Sequence, residues 1–456
     1  MSVEDLMEGL DELNLVRDDY LKADDYYMGS MREYFTSTRL RRALEQADID
    51  FRIRLAKIPV DAVANRLEIA AITVPDSSES TATLRQIWDY NHLLLVAPMV
   101  HLKTSIYGDG YATAWPNQDD STKVDVFYNS PLTMRIVYDA DNPNLKRFAV
   151  KEWSMLPEGD EKNDHRRANL YYTDRVEKYE TLPNRKGKDP EDWVSFSDDE
   201  NDGELDNPYG QIPVFHFRNQ YPYGVPEHEG AFGPQDAINK LIITQMSTTD
   251  YHGFPQRYAL TDPLMNADSD EGADFGDDDE DATRTTGANA NLRSGPGELW
   301  WLSGLKGVGQ FSAAEPDAFL KPMDRYVRLM ASVTDTPLHY FDPMGDSPSG
   351  EALRAKEGPL VKRVRNRQQA YAGTWSELFM FTLQVLGDSV SQVDVRWISP
   401  AVVDDLDGWH TFEIKKDLGV PNRQILLESG YSEVQVSEWL TDPERETDPE
   451  REDEGE

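Results

Sequence analysis

Between Ala318 and Leu386 lies the pattern that most narrows how this chain can fold: an amphipathic helix, a turn-rich loop and a second, unusually long helix. Phe319, Met323, Tyr326, Val327, Met330 and Val333 recur close to the 3.6-residue period of the first helix. It should stop near Thr336-Pro337, because a residue before proline is pushed out of the helical region. The loop from Leu338 to Gly350 mixes aromatics with the turn formers Asp342, Pro343, Gly345, Asp346 and Pro348. Ser349 or Gly350 can cap the second helix, which continues through Leu353, Leu360, Val364 and Tyr371 to Trp375, Leu378, Phe379 and Leu383. The Gly358-Pro359 pair predicts a kink in it.

Composition sets outer bounds. At 456 residues, 39% of them hydrophobic and 10% aromatic, the chain can build a core in two or three domains or in one elongated subunit. The absence of cysteine excludes disulfides, thiolate metal sites and cysteine nucleophiles, and fits a reducing compartment or one where thiols give no advantage. The opening residues MSVEDLMEGLDEL are acidic and amphipathic, unlike a signal peptide. The longest apolar run, Leu93 to Val100, contains Pro98 and falls far short of the roughly 20 apolar residues that span a bilayer. The expectation is a soluble protein with no membrane partner.

The formal net charge is −38, from 84 acids against 46 bases. Residues 268–281 hold nine acids and the tail 442–456 another nine; setting both aside still leaves 66 acids against 44 bases. Such a balance disfavours a sequence-specific DNA binder, whose affinity rests on neutralising phosphates with Lys and Arg.

Along the chain, Leu6, Leu10, Leu13, Leu15 and Tyr20 form one amphipathic stretch, and Tyr26-Tyr27-Met28-Gly29 reads as a helix end with a glycine cap. A basic stretch from Arg39 to Lys57 follows, then a helix from Pro59 through Val63 and Leu67, so the region to about Ile69 is helical in pattern. Thr83 to Tyr107 reads as one helix bent at Pro98. From Gly108 the period changes to two: Tyr111–Trp115, Val124–Tyr128, Met134–Tyr138, Arg147–Trp153 and Asn169–Tyr179 read as strands. Residues 183–208 read as loop, and Ile212 to Arg218 as the strand closing the sheet. Gly233-Pro234 opens a helix with Ile238, Leu241 and Ile242 on one face. Residues 255–312 hold a short strand (Gln256–Leu260), the acidic run and Leu299-Trp300-Trp301-Leu302. A strand at Val393–Trp397 precedes two small helices, near Leu406 and after Pro421. The near-exact repeat of Thr441–Glu446 in Thr447–Glu452 has no apolar residue to bury and reads as a disordered tail.

The run SPSGEALRAKEGPLVKRVRNRQQAYAGTW from Ser347, with Thr334-Asp335-Thr336-Pro337-Leu338-His339-Tyr340-Phe341 before it, resembles the portal proteins of tailed bacteriophages of the siphophage type. The Tyr-Tyr-x-Gly element at 26–29 and the Asn207-Pro208-Tyr209-Gly210-Gln211-Ile212-Pro213-Val214 run are similar to elements of the same family. The resemblance spans about 30 to 390, with its specific motifs in the last part. It implies an α+β chain in the portal fold, with a mixed α/β wing, a long-helix stem, a small α/β clip and a helical crown. On that reading 1–230 is the N-terminal wing, helical at first and then mainly β, and 231–254 the first stem helix. Residues 255–314 are then the clip with its acidic loop, 315–336 the second stem helix and 337–350 the tunnel loop. The long kinked wing helix occupies 351–390, the strand and crown helices 391–440, and the acidic tail 441–456. The tunnel would be lined by Phe341, Asp342, Pro343, Met344, Gly345, Asp346 and Ser347.

The implied protein is a ring subunit, twelve copies in the virion, assembled in the host cytoplasm and seated at one capsid vertex. Its implied partners are further copies of itself and double-stranded DNA passing without sequence specificity. The terminase large subunit, the major capsid and scaffolding proteins and the head-tail adaptor complete the set. An acidic wall suits a conduit through which DNA moves without being held. Two other readings remain at this stage: a different ring-forming head-tail connector, and a DNA-processing enzyme.

Little in the residues speaks for catalysis. No Gly-x-x-x-x-Gly-Lys-Ser/Thr occurs, so packaging energy would come from a partner ATPase. Gly304, Gly307 and Gly309 do not fit a dinucleotide site and read as a turn. An EF-hand begun at Asp268 fails, with Ala273 where glycine is required and Asp279 where glutamate is. Eight scattered histidines show no metal-pair spacing; His216 reads as structural, and His339 as packing or facing neighbours or DNA. No cofactor and no metal site are expected. Arg354, Lys356, Lys362, Arg363, Arg365 and Arg367 against Glu351 and Glu357 make the start of the long helix locally basic. Three readings stand for them: salt bridges between subunits, a solvated face, or contact with DNA.

Overall fold

Helix α1 (Val3–Met28) turns Leu6, Leu10, Leu13, Tyr20, Ala23 and Tyr26 inward. It ends where Gly29 adopts φ +75° and the Ser30 amide reaches back to the Asp25 carbonyl at 2.9 Å, a Schellman cap that a side chain at position 29 would strain. The computed structural model describes residues 3–30, 53–75, 77–155, 165–182, 185–196, 203–253, 257–261, 305–310, 317–342, 350–401, 405–429, 436 and 439–440. The fold is α+β. Two units divide the chain: Met1–Arg32, Arg52–Phe232 and Leu329–Glu456 form the first, and Glu33–Phe51 with Gly233–Arg328 the second.

In the first unit α2 (Lys57–Ala64) is followed by β1 (Ile69–Thr73). The single helix expected from Thr83 to Tyr107 is instead two, α3 (Ser78–Tyr90) and α4 (Leu93–Tyr107). Ser77 caps α3, accepting the Ser80 amide at 3.1 Å. The break falls at Asn91-His92, with His92 left-handed at φ 51°, and Pro98 is accommodated inside α4. The cause is tertiary: the Asn91 side-chain amide donates to the Val124 carbonyl (2.9 Å) and accepts from the Val126 amide (2.8 Å). Those backbone groups belong to β3 (Val124–Asn129), an edge strand that Asn91 thereby covers.

Strands β2 (Asp109–Pro116) and β3 pair antiparallel, and β10 (Val214–Arg218) closes this sheet in the order β10-β2-β3. The other strands make a second sheet rather than continuing the first. It contains β4 (Met134–Tyr138), β5 (Lys146–Ser154), β6 (Arg166–Tyr171), β7 (Arg175–Thr181) and β8 (Trp193–Ser195) in order, with β9 (Glu204–Asp206) also on β7. Asn169–Tyr179 is thus a hairpin and not one strand, turned where the Tyr172 amide bonds the Arg175 carbonyl at 2.8 Å. The loop expected over 183–208 contributes β8 and β9, strands too short to show a period. Helix α1 lies on this sheet, packing Leu6 and Leu10 with Val137, Phe148, Val150 and Leu170. Gly9 permits the approach, since a Cβ there would meet Val150 at 3.0 Å.

The largest core joins residues far apart in the chain: Val63, Leu84, Leu93 and Val100, then Ala112 and Phe215, then Leu360, Val364, Tyr371, Trp375, Phe379 and Leu383. The last group belongs to α7 (Gly350–Val385), which runs unbroken with Pro359 inside it. Beyond it β13 (Asp394–Trp397) pairs antiparallel with β1, Ile69 opposite Trp397 and Thr73 opposite Asp394. The helical reading up to Ile69 missed β1, whose partner lies over three hundred residues away. Helices α8 (Asp405–Asp417) and α9 (Asn422–Glu428) follow.

Helix α5 (Phe232–Gly253) leads the chain into the second unit, and α6 (Asp317–Val333) leads it back. Between them β11 (Arg257–Thr261) and β12 (Leu305–Gln310) form an antiparallel pair. Gly307 and Gly309 therefore lie in a strand and not in a turn, opposite Leu260 and Tyr258; Gly304 lies outside the described residues. Also outside them are the acidic run 268–281, Leu299–Leu302 and the tail. Among the described residues no helix is long and apolar enough to cross a membrane.

One polar cluster is sealed within the first unit. The Asp109 carboxylate accepts from Tyr20 Oη (2.7 Å), His216 Nε2 (2.8 Å) and the Gly224 amide (2.7 Å). Burial alone would raise its pKa, but the His216, Tyr20 and Gly224 donors outweigh that and hold it below the ordinary value. His216 Nδ1 then accepts from Tyr138 Oη at 2.8 Å, and burial keeps the imidazole neutral.

Candidate functional site

The residues singled out by sequence surround the passage from α6 to α7. Helix α6 closes with Asp335 left-handed at φ 47° and the Thr336 amide bonded to the Ala331 carbonyl at 3.0 Å. This is a second Schellman cap, with aspartate in the place usually taken by glycine. Thr334 Oγ1 adds a bond to the Met330 carbonyl at 2.8 Å, and Pro337 then forbids another helical turn. Met330 is fully buried, whereas Val333, counted on the same apolar face, is 47% exposed.

A short 3₁₀ turn, Leu338–Tyr340, follows and is fastened by side chains from elsewhere. Glu357, two turns into α7, receives Arg66 Nη2 at 3.2 Å and Tyr340 Oη at 3.4 Å, with His339 Nε2 at 3.6 Å. Arg66 Nη2 also donates to Tyr340 Oη at 2.6 Å. Burial raises the Tyr340 pKa, so its hydroxyl stays protonated as the donor to Glu357. One carboxylate thus ties the turn, the following helix and the end of the α2 segment together.

Further along α7, Arg363 and Arg367 converge on Glu227, whose side chain is 1% exposed. Arg363 Nε stands 3.2 Å from Glu227 Oε2, and Arg363 Nη1 donates to the Thr334 carbonyl at the end of α6. Arg367 takes both Glu227 oxygens, Nε at 2.5 Å and Nη2 at 3.3 Å, and donates to the Asn219 carbonyl at 3.0 Å. Asn219 Nδ2 closes the set at 2.9 Å from Glu227 Oε1. A carboxylate this deep is tolerable because two guanidiniums and an amide satisfy it; removing such a partner typically costs about 3–5 kcal/mol.

The basic helix is therefore not one surface. Arg363 and Arg367 are spent within their own subunit, which none of the three sequence readings anticipated. Arg354, Lys356, Lys362 and Arg365 lie on the exposed side. Of the loop residues, Phe341 is half-buried and Asp342 exposed, while Pro343, Met344, Gly345, Asp346 and Ser347 lie outside the described residues. Sequence reasoning passed over Arg66 and Glu227 altogether. Neither sits in a motif, and each meets its partner across more than a hundred residues. Among the described residues no group of three His, Asp or Glu side chains converges to hold a metal ion.

Comparison with known proteins bears on this arrangement as a whole. The chain is 22% identical over 465 residues to the portal protein of Mycobacterium phage L5, covering 93% of this chain and 87% of that one. To the portal protein of Mycobacterium phage D29 it is 24% identical over 364 residues, covering 76% of this chain and 68% of that one. Among solved structures it is similar to a chain in the neck of an empty gene transfer agent particle, at 13% identity and a TM-score of 0.45 over 88% of this chain and 95% of the other. A family model described as phage portal protein, SPP1 Gp6-like, matches residues 10–428, a span that contains Arg66, Glu227, the turn and all of α7. The chain belongs to the SPP1 Gp6-like family of phage portal proteins.

Proposed function

We propose that the subunit assembles head to tail into a ring, twelve copies in the virion, that forms the DNA channel at one capsid vertex. The ring conducts DNA during packaging, retains it, and releases it on ejection. It works as a passive device and not as an enzyme: the terminase large subunit supplies the energy, and the chain offers docking surfaces to it, to the capsid and scaffolding proteins, and to the head-tail adaptor. In this reading α5 and α6 are the stem, β11 and β12 belong to the clip, the two sheets belong to the wing, and α8 and α9 to the crown. The loop from 337 to 350 lines the narrowest part of the tunnel.

The observation that carries this reading is the family match across residues 10–428. The braced turn supports the loop assignment: a loop that meets moving DNA needs roots that do not yield, and both of its roots are fastened by buried or half-buried ion pairs. Native mass spectrometry with negative-stain imaging tests assembly, with rings of about twelve copies as the expected result. Deleting Phe341 to Ser347 should leave the ring intact and impair packaging or retention of DNA. Normal packaging by the deletion variant would sink the loop assignment, and a protein that stays monomeric in every salt condition would sink the ring.

A further inference from the structure

Beside β10 the first unit carries a recess of about 410 Å³ that the braced turn does not use. Tyr138, Lys146, Arg218, Tyr221, Gly373 and Glu377 are among its walls. Arg218 lies within cation–π reach of two aromatic rings, its guanidinium carbon 5.0 Å from the Tyr138 centroid and 4.8 Å from that of Tyr221. Two such contacts restrict where the guanidinium can sit. Its Nη1 donates to the Pro222 carbonyl, and its remaining donors meet no hydrogen-bond partner among the described residues. Lys146 Nζ lies 2.7 Å from Glu377, so one cation of the recess already binds a carboxylate side chain. On the α7 side there is room at Gly373, where a Cβ would meet nothing within 4 Å. Tyr221, 52% exposed, stands among the walls, and its Oη bonds Asn144.

We propose that this recess receives an acidic side chain from a second copy of the chain, with Arg218 as its bidentate partner. The inference rests on the ring reading above and adds to it where one subunit grips the next. Charge decides the occupant. With 84 acids against 46 bases, identical copies repel across most of their surfaces, and contact is favourable where an oriented cation meets a neighbour's carboxylate. Across a two-fold axis Arg218 would face its own counterpart, and the one carboxylate among the recess walls, Glu377, is already paired with Lys146. The recess requires an unlike, acidic face on the next copy, which is the condition for head-to-tail growth that closes into a ring. An Arg beside an exposed Tyr is also a pair in which interface hot spots are enriched.

The test uses the full-length protein and mass photometry across a concentration series. Gly373→Trp fills the recess from a helical site where the subunit itself has room, and Arg218→Gln keeps much of the side-chain bulk while removing the charge. Both should raise the concentration for half-assembly at least tenfold without lowering the subunit's thermal midpoint, and Gly373→Ala should assemble like wild type. A wild-type protein that never forms rings removes the ring reading and this inference with it. Rings in wild type and both variants at the same concentrations overturn the inference alone. Saturable binding of inorganic phosphate that Arg218→Gln abolishes, with assembly unchanged, would make the recess a small-anion site. Unchanged rings that lose affinity for a duplex DNA fragment would assign Arg218 to DNA phosphates. Either result overturns the proposal.

Discussion

The two halves of α7 are held by different physics. From Arg354 to Arg367 the buried positions are Glu357, Leu360 and Val364, and most of the residues between them face water. From Tyr371 to Leu383, Tyr371, Trp375, Leu378, Phe379, Phe381, Thr382 and Leu383 are all fully buried. The second half is anchored mainly by apolar area, with the Trp375–His101 hydrogen bond set inside it. The first half is placed by a few directional contacts, Glu357 to Arg66 and Glu227 to Arg363 and Arg367. A helix built this way is fixed in space at one end and aimed at the other, and the aimed end roots the loop.

The largest expected effect breaks the anchor. Trp375→Ala opens a cavity where the indole stacks on Phe379 and meets Phe217 edge-on, and should cost about 3–5 kcal/mol in urea unfolding. Glu227→Gln should cost less, about 2–3 kcal/mol, because Arg363 and Arg367 keep some solvent contact and can rehydrate. Its signature is local: hydrogen exchange should rise at Leu338–Phe341 and stay unchanged at Leu378–Leu383. Equal acceleration at both would show that the two halves are not separable.

Acid should act on the anchor in a distinct way. Trp375 Nε1 donates to His101 Nε2 at 2.9 Å, so His101 must carry its proton on Nδ1, which donates to the Leu67 carbonyl at 2.9 Å. Burial lowers its pKa from 6.5 to about 4, and burial does the same to His228. Between those values the unfolded chain takes up protons that the folded chain refuses. Stability is therefore complete above about pH 6.5, falls as pH drops toward 4, and levels off below it, with about 1 kcal/mol lost per histidine by pH 5.5. His101→Gln should flatten part of that slope in equilibrium unfolding followed against pH. The smallest effect belongs to the exposed cations of the aimed half: Lys362→Ala or Arg365→Ala should move stability by no more than about 0.5 kcal/mol. A larger loss in the isolated subunit would mean that they serve the fold.

What the sequence made legible follows the range of the forces involved. The α6-turn-α7 pattern was readable because helix period, the Pro337 stop and the turn formers act within a few residues. The strands between Tyr111 and Trp153 were readable for the same reason, through their alternation. The break at Asn91 was not, because it depends on a strand edge more than thirty residues away, and Pro98 gave a misleading local cue. Glycines in β12 mimicked a turn because a strand's pairing partner leaves no mark at the glycine itself. Of the site, the basic run announced that α7 carries charge but not where each charge goes. Arg363 and Arg365 look alike in sequence; their positions around the helix send the first to Glu227 and the second to water.

The pairing of β1 with β13 sets a clock on the molecule. Ile69 leaves the ribosome long before Trp397, and the core around Val63, Leu84 and Leu93 lacks α7 until then. Closing a contact over such a distance is slow, and the early segments wait with apolar surface uncovered. A subunit of this topology cannot finish its first unit while translation is in mid-course. The core around Val63, Leu84 and Leu93 is therefore completed only once α7 and β13 are in place, so a chain truncated before Asp394 should leave that apolar surface open.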